Sequence, residues 1–393
     1  MVVSSKAKRP LMKACGVIAE YNPFHNGHAY QLAQARKKTQ ADAVVVVMSG
    51  NYVQRGEVAI IDKWQRAQMA LDHGADLVIE LPFAVACQPA DRFANGALQM
   101  LAILKCSYLA FGVEQDNFDY QQFIAQIAPK LQQQKFTIDY SKTYATQWND
   151  FLEAELGQRI NQPNQLLALS YALANSQLAE PLTFVPIGRI GAEHDALQTT
   201  SEKFASATAI RQLLLAGDLT TAQQYLPADL TKLSHHWLSW VDLWPLLHYQ
   251  LTVNWPASLV DIYQMSEGLE YRFWQQNQTS VSFADFLQKV KSKRYTYARL
   301  RRLALYTLLN VRTTEIVAAQ KQLPQLRVLG FNQVGQDYLH QVRNQDEIKA
   351  LTRVTADLGK PDGELGLQVR VDRLVEQLTG HEQNFHQRII IKR

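Results

Sequence analysis

The chain has 393 residues, of which 47% are hydrophobic and 19% charged, and its formal net charge at pH 7 is +4. This composition is typical of an ordinary soluble globular protein and excludes a disordered chain, and the length predicts two or three domains. The net charge is too small to indicate a nucleic-acid partner unless the basic residues cluster.

The sequence predicts no targeting signal, no disulfide bonds and no zinc site. Residues 1–10 are basic but precede only a short apolar segment, and no uncharged run is long enough to span a bilayer. Cys15, Cys87 and Cys106 are unclustered and odd in number, which argues against disulfides or a zinc site. We therefore expect a cytoplasmic protein whose cysteines are buried as small apolar residues.

The strongest functional signal lies in residues 14–28, whose sequence is ACGVIAEYNPFHNGH. The apolar run at its start is short enough for a buried strand and ends at Asn22-Pro23, after which apolar residues recur with helical spacing. Leu32 and Ala33 are among the residues expected to face inward. The stretch therefore predicts a strand, a loop and a helix.

His25 and His28 bracket the predicted start of that helix. The first backbone N–H groups of a helix have no partner within it and its dipole end is positive, so an anion can bind there. Gly27 lets the backbone approach a ligand, and two imidazoles can donate hydrogen bonds to phosphate oxygens. This arrangement suits displacement at the α-phosphate of ATP, where fixed donors stabilise developing charge. The alternative is two surface histidines beside a turn, because an isolated H-x-G-H motif has little specificity.

Strand and helix patterns alternate through the rest of the first half. The predicted strands are 43–48, 76–80, 107–111 and 183–187, the predicted helices are 62–72, 90–104 and 165–174, and the stretch 118–159 is helical and glutamine-rich. Strands that alternate with helices predict crossover connections, and therefore an α/β fold with a mostly parallel sheet.

Three residues lie near the ends of these strands, where sheets of this kind bind ligands. Arg55 and Lys63 follow the strand 43–48 and are candidate contacts to phosphate or carboxylate, although solvated charges are an equally good interpretation. Gly112 follows the strand 107–111 and would allow close approach of a nucleotide. A plain turn glycine is the alternative there.

A second helix start lies at residues 204–211. Ser206 is a predicted N-cap, Ile210 and Leu214 are predicted to face inward, and Arg211 lies one turn into the helix. Hydroxyl groups and an arginine at a helix N-terminus predict a second phosphate cradle, on the opposite side of a triphosphate from the two histidines.

After about Gly217 strand-like runs vanish, which predicts a boundary there and a helical second domain. Basic residues surround Tyr295 and Tyr297 within it: Lys289, Lys291, Lys293, Arg294, Arg299, Arg301 and Arg302. Such a cluster can grip a phosphate backbone and stack an unpaired base. The alternative is a solvated basic helix face with the tyrosines packed inward. A short strand over 327–332 and a helix opening at Gly335 are predicted further on.

Several blocks together resemble one family, the tRNA(Met) cytidine acetate ligases of the H-x-G-H nucleotidylyltransferase superfamily. The blocks are 20–28 (EYNPFHNGH), 49–57 (SGNYVQRGE), 74–82 (GADLVIELP), 206–211 (SATAIR), 293–295 (KRY) and 299–302 (RLRR). The first two are far more specific than H-x-G-H alone. The resemblance covers most of the chain up to about residue 335 and weakens after it.

The resemblance implies a Rossmann-like nucleotidylyltransferase domain with a mostly parallel sheet over 1–217, which binds ATP and carries catalysis. A mainly α-helical, tRNA-binding domain is expected over 218–393. The implied activity is the activation of acetate with ATP to acetyl-adenylate. The acetyl group then passes to the N4 amine of the wobble cytidine of elongator tRNA(Met), giving N4-acetylcytidine. Mg²⁺ is expected on the triphosphate, with few ligands from the protein.

The resemblance also assigns nucleotide binding to the loop 18–31, to Gly112, to Asn164 and to Arg189. The loop residues expected to contribute are Ile18, Ala19, Glu20, Tyr21, Asn22, Pro23, Phe24, His25, Asn26, Gly27 and His28. Val113 stands where the family pattern has a serine, so a side-chain contact is not expected there, whereas a backbone contact at Gly112 is unaffected.

Roles follow for the residues of the two cradles. We expect His25 and His28 to act on the α-phosphate and the leaving group. Arg211, together with the helix start at Ser206, is expected to hold the β- and γ-phosphates. The expected tRNA contacts are Lys293, Arg294, Tyr295, Arg299, Arg301 and Arg302.

Two other functions stay open from the sequence. A small-molecule adenylyl- or cytidylyltransferase would share the H-x-G-H loop, but it needs no basic aromatic cluster. A non-catalytic RNA-binding protein is disfavoured because His25, His28 and Arg211 are intact. In the ligase, a flipped-out cytidine must enter the pocket. Glu20 and Asp195 are candidates to accept its amine proton.

Overall fold

The computed structural model describes residues 10–133, 144–157, 159–189, 203–233, 236–322, 326–345 and 348–393. The strands are β1 Ala14–Ala19, β2 Ala43–Ser49, β3 Tyr52–Val53, β4 Glu57–Val58, β5 Leu77–Leu81, β6 Tyr108–Val113, β7 Thr183–Gly188, β8 Leu326–Asn332, β9 Ala350–Leu351 and β10 Ile390–Lys392. The α-helices are α1 Asn26–Thr39, α2 Lys63–Asp72, α3 Phe83–Ala86, α4 Ala90–Ile103, α5 Tyr120–Gln133, α6 Tyr144–Leu156, α7 Pro163–Asn175, α8 Ala207–Leu215, α9 Leu219–Gln223, α10 Trp240–Val253, α11 Leu269–Asn277, α12 Phe283–Val290, α13 Tyr297–Leu308, α14 Thr313–Lys321, α15 Gln333–Gln345, α16 Ala356–Gly359 and α17 Gly366–Thr379.

The main sheet has the strand order β10-β8-β5-β2-β1-β6-β7, with β9 paired to β8. Its pairs are parallel except for β5 and β8, which are antiparallel. Every residue of β1, β2 and β5 is buried, because helices cover both faces of the sheet. One face packs against α1, α2 and α8 and the other against α4, α5, α7 and α15. The predicted α/β fold with a mostly parallel sheet is confirmed.

Most predicted elements are confirmed, with small corrections. The helix after the first strand buries Leu32 and Ala35, whereas Ala33, which we expected to face inward, is exposed. Strand β6 runs through Gly112 to Val113 instead of ending before it, because it stays paired with β7 over that length. The three cysteines are buried and unbridged, as predicted.

The end of the chain departs from the predicted division at residue 217. Residues 218–322 are helical, but β8 pairs with β5 and therefore brings residues 326–332 back into the main sheet. Strand β10 then adds to the outer side of β8. Leu326, Val328 and Leu329 of β8 are buried in this position, which is the physical reason for the return. The C-terminal region is thus mainly helical, as predicted, and its strands β8 and β10 belong to the main sheet.

A buried ion network joins this returning segment to the first half of the chain. Lys63 Nζ lies 2.8 Å from Glu80 and 2.5 Å from Asp372, and Arg327 lies 3.0 Å from Glu80. All four side chains are almost fully inaccessible to solvent. Buried charges require such partners because desolvation is costly. Lys63 is thus part of the core, and the expectation that it contacts a phosphate ligand is wrong.

The helices α10–α14 pack around a second core that is shared with the sheet domain. Buried leucines and aromatics of these helices contact Phe83 of α3, Tyr52 of β3 and Val371 of α17. The hydroxyl of Tyr52 donates to the Val371 carbonyl at 2.8 Å. In the described ranges no helix is both long and apolar enough to cross a membrane.

Candidate active site

A crevice opens at the carboxyl ends of β1, β6 and β7 and encloses about 510 Å³, open solvent at its mouth included. The chain leaves β1 toward β2 and leaves β6 toward β7, so the crevice lies where the strand order reverses. Ligands of doubly wound sheets bind at such points. Its lining is His25, Gly27, His28, Tyr30, Gln31, Gly112, Ile187, Gly188, Arg189, Phe204 and Ala205.

The two histidines hold the start of α1 through a reciprocal cap. His25 Nδ1 accepts a hydrogen bond from the Gly27 backbone N–H at 3.1 Å, and His28 Nδ1 accepts from the His25 backbone N–H at 3.2 Å. A ring nitrogen that accepts carries no proton, so both imidazoles bear their hydrogen on Nε2. Each ring therefore caps the helix with one nitrogen and keeps the other as a donor.

Burial keeps both rings neutral. Desolvation lowers the pKa of His25 to about 3, with further lowering by the charges of Arg189 and Arg211. Desolvation also lowers the pKa of His28 well below its usual value, followed by the effects of His25 and Arg189. Near neutral pH the pair therefore offers two neutral N–H donors rather than two cations.

The second predicted cradle is tied to the first. Asn26 Nδ2 donates to the Lys203 and Gln224 carbonyls at 2.9 Å each, which joins the start of α1 to the segments around α8 and α9. Arg211 donates to the Asn22 carbonyl at 2.8 Å. Arg211 therefore contacts the loop that carries the two histidines.

Ser206 and Arg211 lie differently from what we expected. Among the described residues, the crevice lining includes Ala205 but neither of these two. Ser206 is fully buried, and its hydroxyl accepts from the Ala209 backbone N–H at 3.0 Å, so it is confirmed as the N-cap of α8. Ile210 and Leu214 are buried as predicted.

Asn164 forms a hydrogen bond with the carboxylate of Glu114. Its side-chain amide donates to Glu114 Oε1 at 2.7 Å, and the Gln165 backbone N–H donates to Glu114 Oε2 at 3.1 Å. Burial lowers the pKa of Arg189, and the charge of Glu114 opposes that shift. The start of α7 therefore fixes Glu114, whose charge acts on the arginine that lines the crevice.

Gly112 leaves space in the crevice. A Cβ added there would make only ordinary contact, 3.8 Å from Arg189 Cγ, so the surrounding chain does not require glycine at this position. At Gly27 an added Cβ would lie 2.9 Å from His25 Cε1, so even alanine would displace that ring. Gly112 therefore leaves room for a ligand, and Gly27 leaves room for the His25 ring.

The remaining loop residues are mostly structural. Tyr21 and Phe24 are buried against the His28 ring, with centroids 4.7 and 5.7 Å away. Glu20 Oε1 accepts from the Gln54 backbone N–H at 2.7 Å, and burial raises the pKa of Glu20. Arg55 is half-buried in the turn between β3 and β4, and its charge acts on Glu20. Asp195, a candidate proton acceptor in the sequence, lies outside the described residues.

The predicted RNA-binding cluster is only partly exposed. Lys293 and Arg294 are exposed, and Tyr297 is 45% exposed beside Lys291. Tyr295 is buried and its hydroxyl bonds Glu267, while the guanidinium of Arg299 lies 4.4 Å above its ring.

Two arginines of the cluster contact the sheet domain, and Arg301 is half-buried there while Arg302 is buried. Arg302 is buried and donates to the Gln54 carbonyl at 3.1 Å, and Arg301 lies 3.6 Å from Glu57. The prediction that Tyr295 and Arg302 lie on an RNA-facing surface is therefore wrong. The sequence did not reveal their burial, because their partners Glu267 and Gln54 are distant along the chain.

Tyr30 lies in the loop 18–31 that was expected to bind nucleotide. Sequence reasoning gave no role to Ile187, Gly188 and Phe204, which also line the crevice. Ile187 and Gly188 end the strand beside β6. Ligands bind at the carboxyl ends of strands at a switch point, so this position could have indicated that the two residues line the site. Among the residues that the structure describes, no group of three His, Cys, Asp or Glu side chains is placed to hold a metal ion.

The switch-point crevice and the histidine-capped helix define a nucleotidyl transferase of the H-x-G-H class. Consistent with this, the model of the family described as HIGH Nucleotidyl Transferase matches residues 12–388. The tRNA(Met) cytidine acetate ligase of Latilactobacillus sakei is 50% identical over 377 residues, which are 95% of this chain and 96% of that protein. The enzyme of the same name from Lactobacillus gasseri is 46% identical over 96% of this chain and 99% of its own length. The chain belongs to the tRNA(Met) cytidine acetate ligase family.

Solved structures agree with this assignment. The apo crystal structure of Thermotoga maritima TmcAL has a TM-score of 0.85 at 29% identity, covering 97% of this chain and 99% of that one. A second crystal form of the same protein, bound with alpha-thio ATP, has a TM-score of 0.79 at 27% identity over the same shares. The similarity therefore includes the C-terminal residues in which the sequence resemblance had weakened.

Proposed function

We propose that this protein activates acetate with ATP to acetyl-adenylate and transfers the acetyl group to the N4 amine of the wobble cytidine of elongator tRNA(Met), giving N4-acetylcytidine. The observation that carries the proposal is the pair of neutral Nε2–H donors of His25 and His28 at the rim of the crevice. Family membership supplies the acceptor, because the relatives are named for this reaction. The bound ATP analogue in the Thermotoga protein supports ATP as the nucleotide.

In the first step an acetate oxygen attacks the α-phosphorus and pyrophosphate leaves. The two Nε2–H groups, with the N-terminus of α1, donate to oxygens on which negative charge develops. Arg211 and Arg189 add positive charge at the site, as their effect on the pKa of His25 indicates. Mg²⁺ is expected to be bound by the triphosphate oxygens, with few ligands from the protein.

In the second step the cytidine amine attacks the carbonyl of the mixed anhydride, AMP leaves and the amine loses a proton. Glu20, whose pKa is raised by burial, is a candidate acceptor for that proton. Nucleotide binding falls on the residues before 217. We assign tRNA binding to the helices that follow, with Lys293 and Arg294 as the exposed contacts. Because its proposed substrates are ATP and tRNA, we expect the protein in the cytoplasm.

The test is a reconstituted reaction. Purified protein is incubated with ATP, Mg²⁺, isotopically labelled acetate and unmodified elongator tRNA(Met), and the nucleosides are analysed by mass spectrometry. Labelled N4-acetylcytidine at the wobble position is expected, and none is expected when ATP or acetate is omitted. Nucleotidyl transfer to small phosphorylated metabolites with unmodified tRNA would instead support the metabolite transferase and contradict the proposal.

A further inference from the structure

The hairpin formed by β3 and β4 contacts both halves of the proposed enzyme. Its Gln54 backbone N–H donates to Glu20 in the nucleotide loop at 2.7 Å, and its Gln54 carbonyl accepts from Arg302 on α13 at 3.1 Å. Gly56 has φ +76°, and a Cβ there would lie 2.3 Å from the Arg302 backbone nitrogen. The hairpin is therefore pressed against α13 at a point where only glycine fits.

Glu57 of this hairpin lies between two arginines from opposite sides. Its Oε2 is 3.7 Å from the Arg211 guanidinium, and its Oε1 is 3.6 Å from the Arg301 guanidinium. Both distances exceed a hydrogen bond, so each pair is electrostatic and each arginine can still take a phosphate oxygen. One carboxylate is thus shared between a proposed phosphate contact and a residue of the proposed RNA-binding helix.

We propose that Glu57 is a positioning residue that couples the two ligand sites, so that a bound triphosphate weakens RNA binding. A triphosphate held by Arg211 competes with Glu57 for that guanidinium, so the carboxylate pairs more with Arg301 and weakens its hold on an RNA phosphate. Once pyrophosphate leaves, Arg211 is again available to Glu57, and Arg301 becomes available to RNA. The shared carboxylate thereby sets the order of the two steps, because tRNA binds more tightly after the adenylate has formed.

The inference rests on the proposed function, since its two ligands are ATP and tRNA. Coupling between two sites is reciprocal, so it appears as a ratio of affinities. The dissociation constant of unmodified tRNA(Met) is measured with and without a non-hydrolysable ATP analogue. In the wild type the analogue is expected to weaken tRNA binding, and Glu57→Gln is expected to reduce that ratio by about two- to fivefold, the range of partly exposed ion pairs.

Glu153→Gln is the matched control. Its carboxylate lies on α6 and forms an ion pair of 3.9 Å with Arg159, so the same charge is lost from an exposed pair outside the hairpin. The ratio is expected to stay at the wild-type value in this variant. If both variants unfold thermally at the wild-type midpoint, each is folded. Glu57→Asp keeps the carboxylate and is expected to restore part of the coupling.

The outcomes separate the two proposals. If Glu57→Gln leaves the ratio unchanged while the wild type binds tRNA and the analogue and makes N4-acetylcytidine, the role of Glu57 is wrong and the proposed function stands. If the wild type binds neither ligand, both are overturned. A change in both affinities by the same factor, with the ratio constant, assigns Glu57 a merely structural role and also overturns the inference.

Discussion

The imidazole rings of His25 and His28 stack with their centroids 3.7 Å apart and their planes 18° from parallel, and the Nδ1 atom of each accepts a backbone N–H. Stacking at this distance would be strongly unfavourable for two cations, which agrees with the lowered pKa of both rings. The pair is therefore fixed in one tautomer before a nucleotide arrives. Preorganised donors of this kind lower a barrier without reorganisation during the reaction.

His25→Asn and His28→Gln are expected to separate capping from catalysis. Asparagine is a favourable N-cap and glutamine is favourable three residues into the helix, so the reciprocal cap is kept. Each variant loses its Nε2–H donor, and we expect adenylate formation to fall about 100- to 1,000-fold, the usual effect of removing one such donor. Acetate-dependent exchange of pyrophosphate into ATP measures the rate. Unchanged exchange in a folded variant would remove that ring from the chemistry.

Stability is expected to fall as the pH falls below about 6.5. The folded pKa of His25 is lowered from 6.5 to about 3, so in this window the unfolded chain binds a proton that the native protein does not. Stability therefore rises with pH across the window, by up to about 1.4 kcal/mol per pH unit for this residue, and is flat above it. Urea unfolding at pH 7 and pH 5 measures the slope. His25→Asn should show the smaller slope, and equal slopes would contradict a neutral buried His25.

Gly112→Ala is expected to weaken nucleotide binding without weakening the fold. The added methyl group makes only ordinary contact with Arg189 and enters the crevice. We expect the KM for ATP to rise while the free energy of unfolding changes by less than about 0.5 kcal/mol. Kinetics of pyrophosphate exchange and urea unfolding give the two values. Gly27→Ala is the contrasting variant, since its Cβ displaces the His25 ring and should lower kcat.

The basic cluster is expected to divide into two functional groups. Lys293→Ala and Arg294→Ala remove exposed charges, so tRNA binding should weaken and its dependence on salt should decrease by about one unit of slope per lost phosphate contact. Arg302→Ala removes the buried donor to Gln54 and should destabilise the protein by about 1–3 kcal/mol. Filter binding over a salt series and urea unfolding distinguish the two. Full-strength tRNA binding by the double surface variant would place the interface elsewhere.

Lys63→Met is expected to destabilise the protein strongly. It leaves the carboxylates of Glu80 and Asp372 buried with less compensation, and such losses typically cost about 3–5 kcal/mol. Lys130→Met, which breaks the exposed ion pair with Glu155, should cost less than about 1 kcal/mol. Urea unfolding measures both values. Similar costs for the two variants would contradict a structural role for the buried network.

The sequence predicts the parts of this protein that depend on short-range patterns. Apolar runs alternating with helical spacing indicated strands β1, β2, β5, β6 and β7, and the turn after the first strand located the histidine loop. It did not indicate that β8 pairs with β5, because a strand pattern says nothing about which sheet it joins. Nor did it show that Lys63 and Arg302 are buried, since their partners Asp372 and Gln54 are distant in sequence.

The reciprocal cap was also beyond sequence reasoning. The motif H-x-G-H suggested two donors to phosphate, but it did not reveal that each Nδ1 is occupied by a backbone N–H. That detail depends on side-chain rotamers, and it decides which nitrogen faces a ligand. Similarly, Ser206 was recognised as a cap, while its complete burial depends on how α8 packs on the sheet.

The return of β8 and α17 to the sheet also has a consequence during synthesis on the ribosome. Lys63 pairs with Asp372, 309 positions later, so Glu80 is the only one of its two carboxylate partners that is present until α17 has emerged from the exit tunnel. A chain that is interrupted before β8 keeps an open strand edge at β5, and its buried ion network lacks Arg327 and Asp372. Interrupted translation products of this protein should therefore be degraded by proteases and should not persist as truncated ATP-binding domains.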